Sequence, residues 1–313
     1  MIALSMLLCH LAGRRPPNSW FIPLGSPSVS DNTGSQAADI LVVVPTLNEE
    51  SHIADCLRTI LRDPGDVFTV VVADGGSRDD TCAIVKSIAT SDPRLHLMAN
   101  PDRLQSAGIN AAVATYGSQA QILVRCDAHA HYPPNYVNDV ASALRERQVA
   151  AVVVPMDARG DTEFARAAAW IVDTPLGSGG AAHRGGRVSG FVDHGHHAGM
   201  DVAMFVRIGG YDPSFSHNED AEYDLRLAAA GGRIWLDADI RLDYTMRPDI
   251  GALARQYWHY GQGRARTVRK HRLRPKLRQL APVVNWIGCI TGVVLAPFWI
   301  WTLCWPIAYL ALI

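Results

Sequence analysis

Short runs of β-branched residues, each ending at a turn-forming or acidic residue, recur along the first half of the chain. Ile40-Leu-Val-Val-Val44 stops at Pro45. Phe68-Thr-Val-Val-Val-Ala73 runs into Asp74-Gly-Gly-Ser77, and Leu95-His-Leu-Met98 follows. Ile122-Leu-Val-Arg-Cys126 runs into Asp127, with a further run at Ala150-Ala-Val-Val-Val154 and a late one at Ile234-Trp-Leu236. Continuous apolar runs of this length are strands buried on both faces. Between them lie stretches with helical spacing. Asn48-Glu-Glu-Ser51 opens one that places Ile53, Leu57, Ile60 and Leu61 on a common side. Thr81–Ile88 and Ser106–Ala114 form others. Alternation of this kind predicts an α/β fold with a mostly parallel central sheet flanked by helices.

Polar residues gather where these strands end, at Pro45–Glu50, Asp74–Ser77 and Asp127–His129. That is the edge at which open α/β sheets bind ligands. The first strand is not followed by Gly-x-Gly-x-x-Gly, which disfavours an ordinary dinucleotide fold. The charge distribution excludes another class. Of the 29 Lys and Arg, nine follow Asp249, and no acidic residue does. That leaves 20 basic against 30 acidic residues up to Asp249. A nucleic-acid binder does not ordinarily keep its acid in the fold and its base ahead of an apolar tail, so no nucleic-acid partner is expected. The six cysteines form no CxxC pair, which argues for a reducing compartment and against a zinc ribbon.

The tail has its own pattern. From Val283 to Ile313 no residue is charged, and Trp286, Trp299, Trp301, Trp305 and Tyr309 fall in this stretch. About 20 apolar residues in a helix cross a bilayer core. Pro297 and Pro306 interrupt the run, so a re-entrant segment is an alternative to a spanning one. The basic stretch Arg264–Arg278 precedes it and would stay on the cytoplasmic side against anionic lipid. The expected organisation is an N-terminal segment and linker at 1–37 and a catalytic domain at 38–250. A basic interfacial helical segment follows at 251–282, then a transmembrane or re-entrant segment at 283–313. No internal repeat is visible.

Several constellations carry chemistry. A carboxylate at a strand end, such as Asp74, can accept the imide N–H of uracil, a contact that cytosine cannot make. The glycines after it, Gly75 and Gly76, allow close approach of a base or ribose. Asp127 supplies an oxygen suited to a hard divalent cation, and His129 two residues on moves the preference toward Mn²⁺. His217-Asn-Glu-Asp-Ala-Glu222 precedes a helical pattern. There, Asn218 with acids in the first turn also reads as an ordinary helix cap. A Gly-rich stretch from Gly177 ends in His194, His196 and His197. These histidines suit a diphosphate or acceptor site better than zinc, since no cysteine or fixed ligand spacing accompanies them.

The stretches VVVPTLNEE, ADGGSRDDT, RCDAHA, GFVDHGHHAGM, GGYDPSFSHNEDAEYDLRLAAAGGRIW and YGQGRART together resemble glycosyltransferase family 2. Within that family they are most similar to the succinoglycan-biosynthesis glucosyltransferases of bacterial exopolysaccharide assembly. They span about residues 40–270. The resemblance implies a GT-A type nucleotide-binding fold and an inverting, metal-dependent hexosyltransferase. It makes Asp220 the general base that takes the acceptor hydroxyl proton, with Glu219 orienting it. Pro45, Thr46, Asn48, Glu50, Asp74, Gly76, Arg103 and Arg125 would bind the nucleotide. Asp127 and His129 would hold Mn²⁺ or Mg²⁺ on the donor diphosphate. The usual family form of the second motif is Asp-Asp-Gly-Ser, whereas Gly75 stands at its second position here. His129 likewise departs from the family's Asp-x-Asp. Gln262-Gly-Arg-Ala-Arg266 lies where processive members carry Gln-x-x-Arg-Trp, and no Trp follows at that spacing. Arg264 or Arg266 could still clamp the diphosphate.

The expected reaction moves a sugar from a nucleotide-diphosphate donor, a UDP-sugar such as UDP-glucose, to a polyprenyl-diphosphate-linked saccharide. Its place is the inner (cytoplasmic) membrane, in contact with lipid, with the catalytic domain facing the cytoplasm. A sugar-1-phosphate nucleotidyltransferase would need a basic Gly-rich loop after the first strand, where Pro45–Glu50 is acidic instead. A catalytically silent membrane scaffold would have no use for Asp74, Asp127 and Asp220 together.

Overall fold

A computed structural model describes residues 39–63, 68–174, 177, 187–274 and 277–312. Residues 1–37, expected as a loose segment and linker, lie outside it, as do residues 178–180 of the Gly-rich stretch. Strands β1 (Ile40–Thr46), β2 (Phe68–Asp74), β3 (Leu95–Ala99) and β4 (Ile122–Arg125) alternate with helices α1 (Ile53–Leu61), α2 (Thr81–Ala89) and α3 (Gln105–Tyr116). Helix α4 (Tyr136–Arg147) follows, then β5 (Ala151–Val154), β6 (Met156–Arg159) and α5 (Glu163–Val172). Next come β7 (Gly190–Val192), β8 (His196–Asp201), α6 (Val202–Arg207) and α7 (Glu219–Ala229). The remainder is β9 (Ile234–Leu236), β10 (Leu242–Thr245), α8 (Ile250–Lys270), α9 (Leu277–Leu295) and α10 (Cys304–Leu312).

Eight strands form one sheet in the order β3-β2-β1-β4-β8-β5-β9-β7. β1 to β4 run parallel, while β8 pairs antiparallel with both β4 and β5. A second sheet pairs β6 with β10. Alternation along the strands sends Val42, Val44, Val70 and Val124 to one face, against Ile53 and Leu57 of α1 and Val137 and Val140 of α4. Leu41, Val43, Val71 and Leu123 take the other face, with Ile109 of α3 and Tyr223 of α7. Burial on both faces is the reason the strands read as unbroken apolar runs.

Two local differences from the sequence reading have clear causes. β1 continues through Pro45, which pairs with Ala73 of β2. On its other side β4 ends opposite Val43, so Pro45 has one neighbouring strand and its missing donor is tolerated. β8 was read as the end of a Gly-rich loop because His-His-Ala-Gly-Met-Asp carries no β-branched residue. Gly199 sits at its centre because a Cβ there would lie 2.5 Å from Val140 of α4.

The tail differs more. Among the described residues no helix is long and apolar enough to cross a membrane. The expected spanning stretch is divided instead into α9, a 3₁₀ turn at Ile300–Leu303 and α10. The break follows Leu295, where Pro297 cannot continue a helix. The two arms fold back on each other. Trp305 Nε1 donates to Asn285 Oδ1 at 3.1 Å, and the Thr302 hydroxyl donates to the Gly292 carbonyl at 2.8 Å. α9 begins at Leu277 with Pro282 inside it, so it runs across the expected 282/283 boundary. α8 is likewise no detached basic segment. A Cβ on Gly263 would lie 2.5 Å from the His217 carbonyl, and Thr267 is buried against Asn218.

Candidate active site

The strand order turns back between β1 and β4, and the carboxyl ends of β1, β2 and β4 open there. Thr46 and Asp74 close β1 and β2 side by side in register. Asp74 is buried, and its oxygens are taken by its own turn. Oδ2 accepts from the amides of Gly76 (2.9 Å) and Ser77 (3.0 Å), and Oδ1 accepts from the Ser77 hydroxyl. Burial acts to raise its pKa, but the Ser77 hydrogen bonds outweigh it and the net shift is downward. The geometry makes Asp74 a turn-former whose oxygens already serve its own loop. Gly76 adopts φ +84°, which the turn requires.

The neighbouring loop is latched to the same turn. The Asn48 amide donates to Ser77 Oγ, and Asn48 Oδ1 accepts from the Arg78 amide. Glu50 accepts from the Asp80 amide at 3.0 Å. These two therefore brace the rim. Arg103 is exposed beside Gly76 and lies at the mouth of the crevice.

β4 delivers the charged centre. Alternation places Arg125 on the same face as Leu123, toward Tyr211 and Tyr223. Its guanidinium is buried, 3.4 Å from Asp127 and 3.8 Å from Glu219. Nη1 has no hydrogen-bond partner among the described residues. Asp127 Oδ1 also accepts from Gln105 of α3 at 3.0 Å, and its Oδ2 faces His196 at 3.8 Å. Burial would raise the Asp127 pKa, yet the charge of the neighbouring Arg125 outweighs it and holds the carboxyl at about 2. His196 is pushed down to about 4, chiefly by burial, and stays a neutral imidazole. His129 Nδ1 lies 3.2 Å from Glu49, whose hydrogen bond raises the imidazole pKa.

The acids of α7 complete the site. Asn218 does not cap the helix: it adopts φ +66°, and its amide donates to Thr267 of α8. The simple capping reading is therefore excluded, and of the first-turn acids Glu219 and Asp220 face the charged centre while Glu222 pairs with Arg226, Lys270 and His271. Glu219 is buried and its pKa is raised, by burial first and then by the charge of Asp220. Asp220 shifts the other way. Burial opposes its ionisation, but His194, His197 and Arg125 overcome it. The two adjacent carboxyls are shifted in opposite directions, and Asp220 is the more readily ionised.

The three histidines separate. His197 is fully buried, with Nε2 2.7 Å from Asp224 and Nδ1 2.7 Å from the Tyr211 hydroxyl. His194 is partly open and also meets Asp224, while His196 turns to Asp127. Arg264 is exposed on α8 and within electrostatic reach of His194. Arg266 stacks on Phe215 at 4.9 Å, away from the strand ends. Residue-by-residue reading of the sequence missed Glu49, Gln105, Tyr211 and Asp224. Glu49, Tyr211 and Asp224 lay inside quoted motifs, and nothing in the motifs says which side chain faces inward.

The candidate cation ligands can be tested against this geometry. No group of three or more His, Cys, Asp or Glu residues among those described is gathered to hold a metal. Asp127 is ionised, and a small cleft joins it to His129 and His196. One or two protein ligands completed by substrate phosphates is the ordinary arrangement for Mg²⁺-type sites, so Asp127 with His129 fits such an ion. A larger cleft of about 400 Å³ opens elsewhere, between residues such as Gln121, Arg145, Asp201 and Arg233, and none of Asp74, Asp127, Glu219 and Asp220 lines it.

An α/β sheet of this order, with ionised carboxylates at its strand ends, defines a GT-A-like glycosyltransferase. The chain belongs to glycosyl transferase family 2, whose family model matches residues 41–209. It is 41% identical over 264 residues to the succinoglycan biosynthesis protein ExoA of Rhizobium meliloti, covering 80% of each chain. It is 23% identical over 242 residues, 74% of each chain, to a Methanococcus voltae dolichyl N-acetyl-α-D-glucosaminyl phosphate 3-β-D-2,3-diacetamido-2,3-dideoxy-β-D-glucuronosyltransferase. Among solved structures it is similar to the mannosyltransferase PcManGT of Pyrobaculum calidifontis, determined with GDP-Man and Mn²⁺. The TM-score is 0.56 at 23% identity, over 79% of this chain and 68% of that one. GalNAc-T7 with UDP, GalNAc and Mn²⁺ shares the fold, with a TM-score of 0.53 at 13% identity over 67% of this chain and 43% of that one.

Proposed function

We propose that this glycosyltransferase moves a hexose from a UDP-linked donor, with inversion, to a polyprenyl-diphosphate-linked saccharide during exopolysaccharide assembly. The observation that carries the reading is the opposed pair Glu219 and Asp220, set beside Arg125 and Asp127. Asp220 takes the proton of the acceptor hydroxyl as that oxygen attacks the anomeric carbon. Glu219 orients the acceptor or Asp220. Asp127 and His129 would hold a divalent cation, which offsets charge on the leaving diphosphate when bound. The orphaned Nη1 of Arg125 offers a hydrogen bond to donor oxygens at the same place. The relationship to ExoA supports the exopolysaccharide role. A single ionised base without the Gln-x-x-Arg-Trp pattern supports one addition per encounter.

The reading places the enzyme on the cytoplasmic face of the inner membrane. Its support is the run through α9 and α10 that carries no charge from Val283 on, where Trp286, Ile290, Phe298, Trp299, Trp301 and Leu310 are exposed, and the basic stretch ahead of it. The test is a screen of UDP- and GDP-sugars for nucleotide release, with and without polyprenyl-linked acceptor, in chelator and after adding Mn²⁺ or Mg²⁺. Acceptor-dependent release of UDP that EDTA abolishes and the ion restores is expected. Full activity in EDTA would remove the cation from the account, and release from GDP-sugars alone would remove UDP.

A further inference from the structure

Asp224 lies one helical turn beyond Asp220 on α7, so the two carboxylates share one face of the helix. It is 3% exposed, and a histidine meets each of its oxygens. His194 Nδ1 lies 2.6 Å from Oδ2, and His197 Nε2 lies 2.7 Å from Oδ1. A carboxylate only accepts, so both of these nitrogens carry protons. His197 is then fixed as a strut. Its remaining nitrogen lies 2.7 Å from the Tyr211 hydroxyl, and the rings of Tyr211 and Tyr223 pack on it, with Phe205 behind them. His194 differs, being about a third exposed at the edge of the same cluster.

A buried aspartate shared by two histidines is more than a fold brace requires. The apolar box already buries His197, and a neutral partner would serve it equally well. We propose that Asp224 orients His194 as a fixed cation beside Asp220, so that His194 is a positioning residue for the proposed base. The inference rests on the assignment of Asp220 made above. His194 has a raised pKa: burial opposes its charge, but the Asp224 hydrogen bond and the charges of Asp220 and Asp224 prevail over it and over Arg264. Asp220 is faced by His194, His196 and His197 from β8 and its approach, by Arg125 from β4, by Tyr211, and by its own neighbour Glu219. Of the lowering influences on Asp220, His194 is the largest.

The sign of the effect follows. A base works when ionised, so activity falls on the acid side as Asp220 takes up a proton. Removing the His194 charge raises the Asp220 pKa and moves that acid limb to higher pH. An opposite charge at short range is worth about one pH unit or more. His194→Asn keeps an N–H near the Nδ1 position for Asp224 and removes the charge. Its kcat–pH profile, measured with saturating donor on folded protein, should have an acid limb about one unit higher than wild type. A folded variant whose limb does not move overturns the inference. Asp224→Asn gives a second reading: the same limb shift is expected in whatever fraction folds, and lowered stability with no limb shift also overturns it. Asp220→Asn in the same series separates the two levels. If it retains near-normal turnover the base assignment fails; if it is inactive while His194→Asn keeps the wild-type limb, only the present inference fails.

Discussion

Asp74 uses both carboxylate oxygens on the turn that follows it, which makes it a stability residue before it is a binding one. Asp74→Ala would remove the acceptor of the part-buried Gly76 and Ser77 amides. The expected loss is about 1 kcal/mol, the net worth of a typical intramolecular hydrogen bond. Urea denaturation checks it: a variant as stable as wild type would show that water replaces the carboxylate. The folded-state pKa is depressed, so the contribution is present above the usual aspartate range and disappears as pH falls through the folded value. Arg125 shows the same limit of residue-by-residue reading. As part of a strand-end motif it reads as a nucleotide contact, yet alternation along β4 buries it between Asp127 and Glu219. A carboxylate's neighbours, and not its type, decide between turn, ligand and base.

At the scale of elements, the proposed base is held by α8 as much as by α7. Gly263 lies against the carbonyl of His217 and the Cβ of Asn218, two residues before Asp220. Lys270 and His271 reach back to the buried Glu222 at 2.6 and 2.9 Å. Gly263→Ala forces the helix off this loop, because the atoms it meets are backbone and Cβ. It should cost roughly 1–3 kcal/mol by overpacking and lower kcat more than donor affinity. Equal kcat in the folded variant would show that α8 does not position the base. The parallel strands and their helices were legible in the sequence, because burial on both faces writes a contiguous apolar run such as Phe68–Ala73. β8 was not, since His196–Asp201 earns its place by pairing with β4 and β5 and not by propensity. The docking of α8 was equally hidden, as a glycine in a basic helix gives no sign of what it touches.

For the whole molecule, the strand-end site was largely legible because fold topology brings distant motifs to one edge, but its wiring was not. The pairing of Glu49 with His129, and of Asp224 with two histidines, depends on contacts across 80, 30 and 27 residues of sequence. The tail's apolar character was plain, whereas its division into two antiparallel arms was set by Pro297 and by the Asn285–Trp305 bond. If these arms meet lipid, the protein should sediment with vesicles containing anionic lipid, and removing residues 277–313 should leave only salt-sensitive binding. Absence of the full chain from the vesicle pellet at low salt would contradict this. The central claim is that Asp220 is the base of an acceptor-directed transfer. Its most direct test is single-turnover transfer by Asp220→Asn with saturating donor, alongside donor affinity and melting temperature. Transfer should fall by roughly 10²–10⁴-fold while the other two stay near wild type; a folded variant that transfers sugar at a near-normal rate would contradict it.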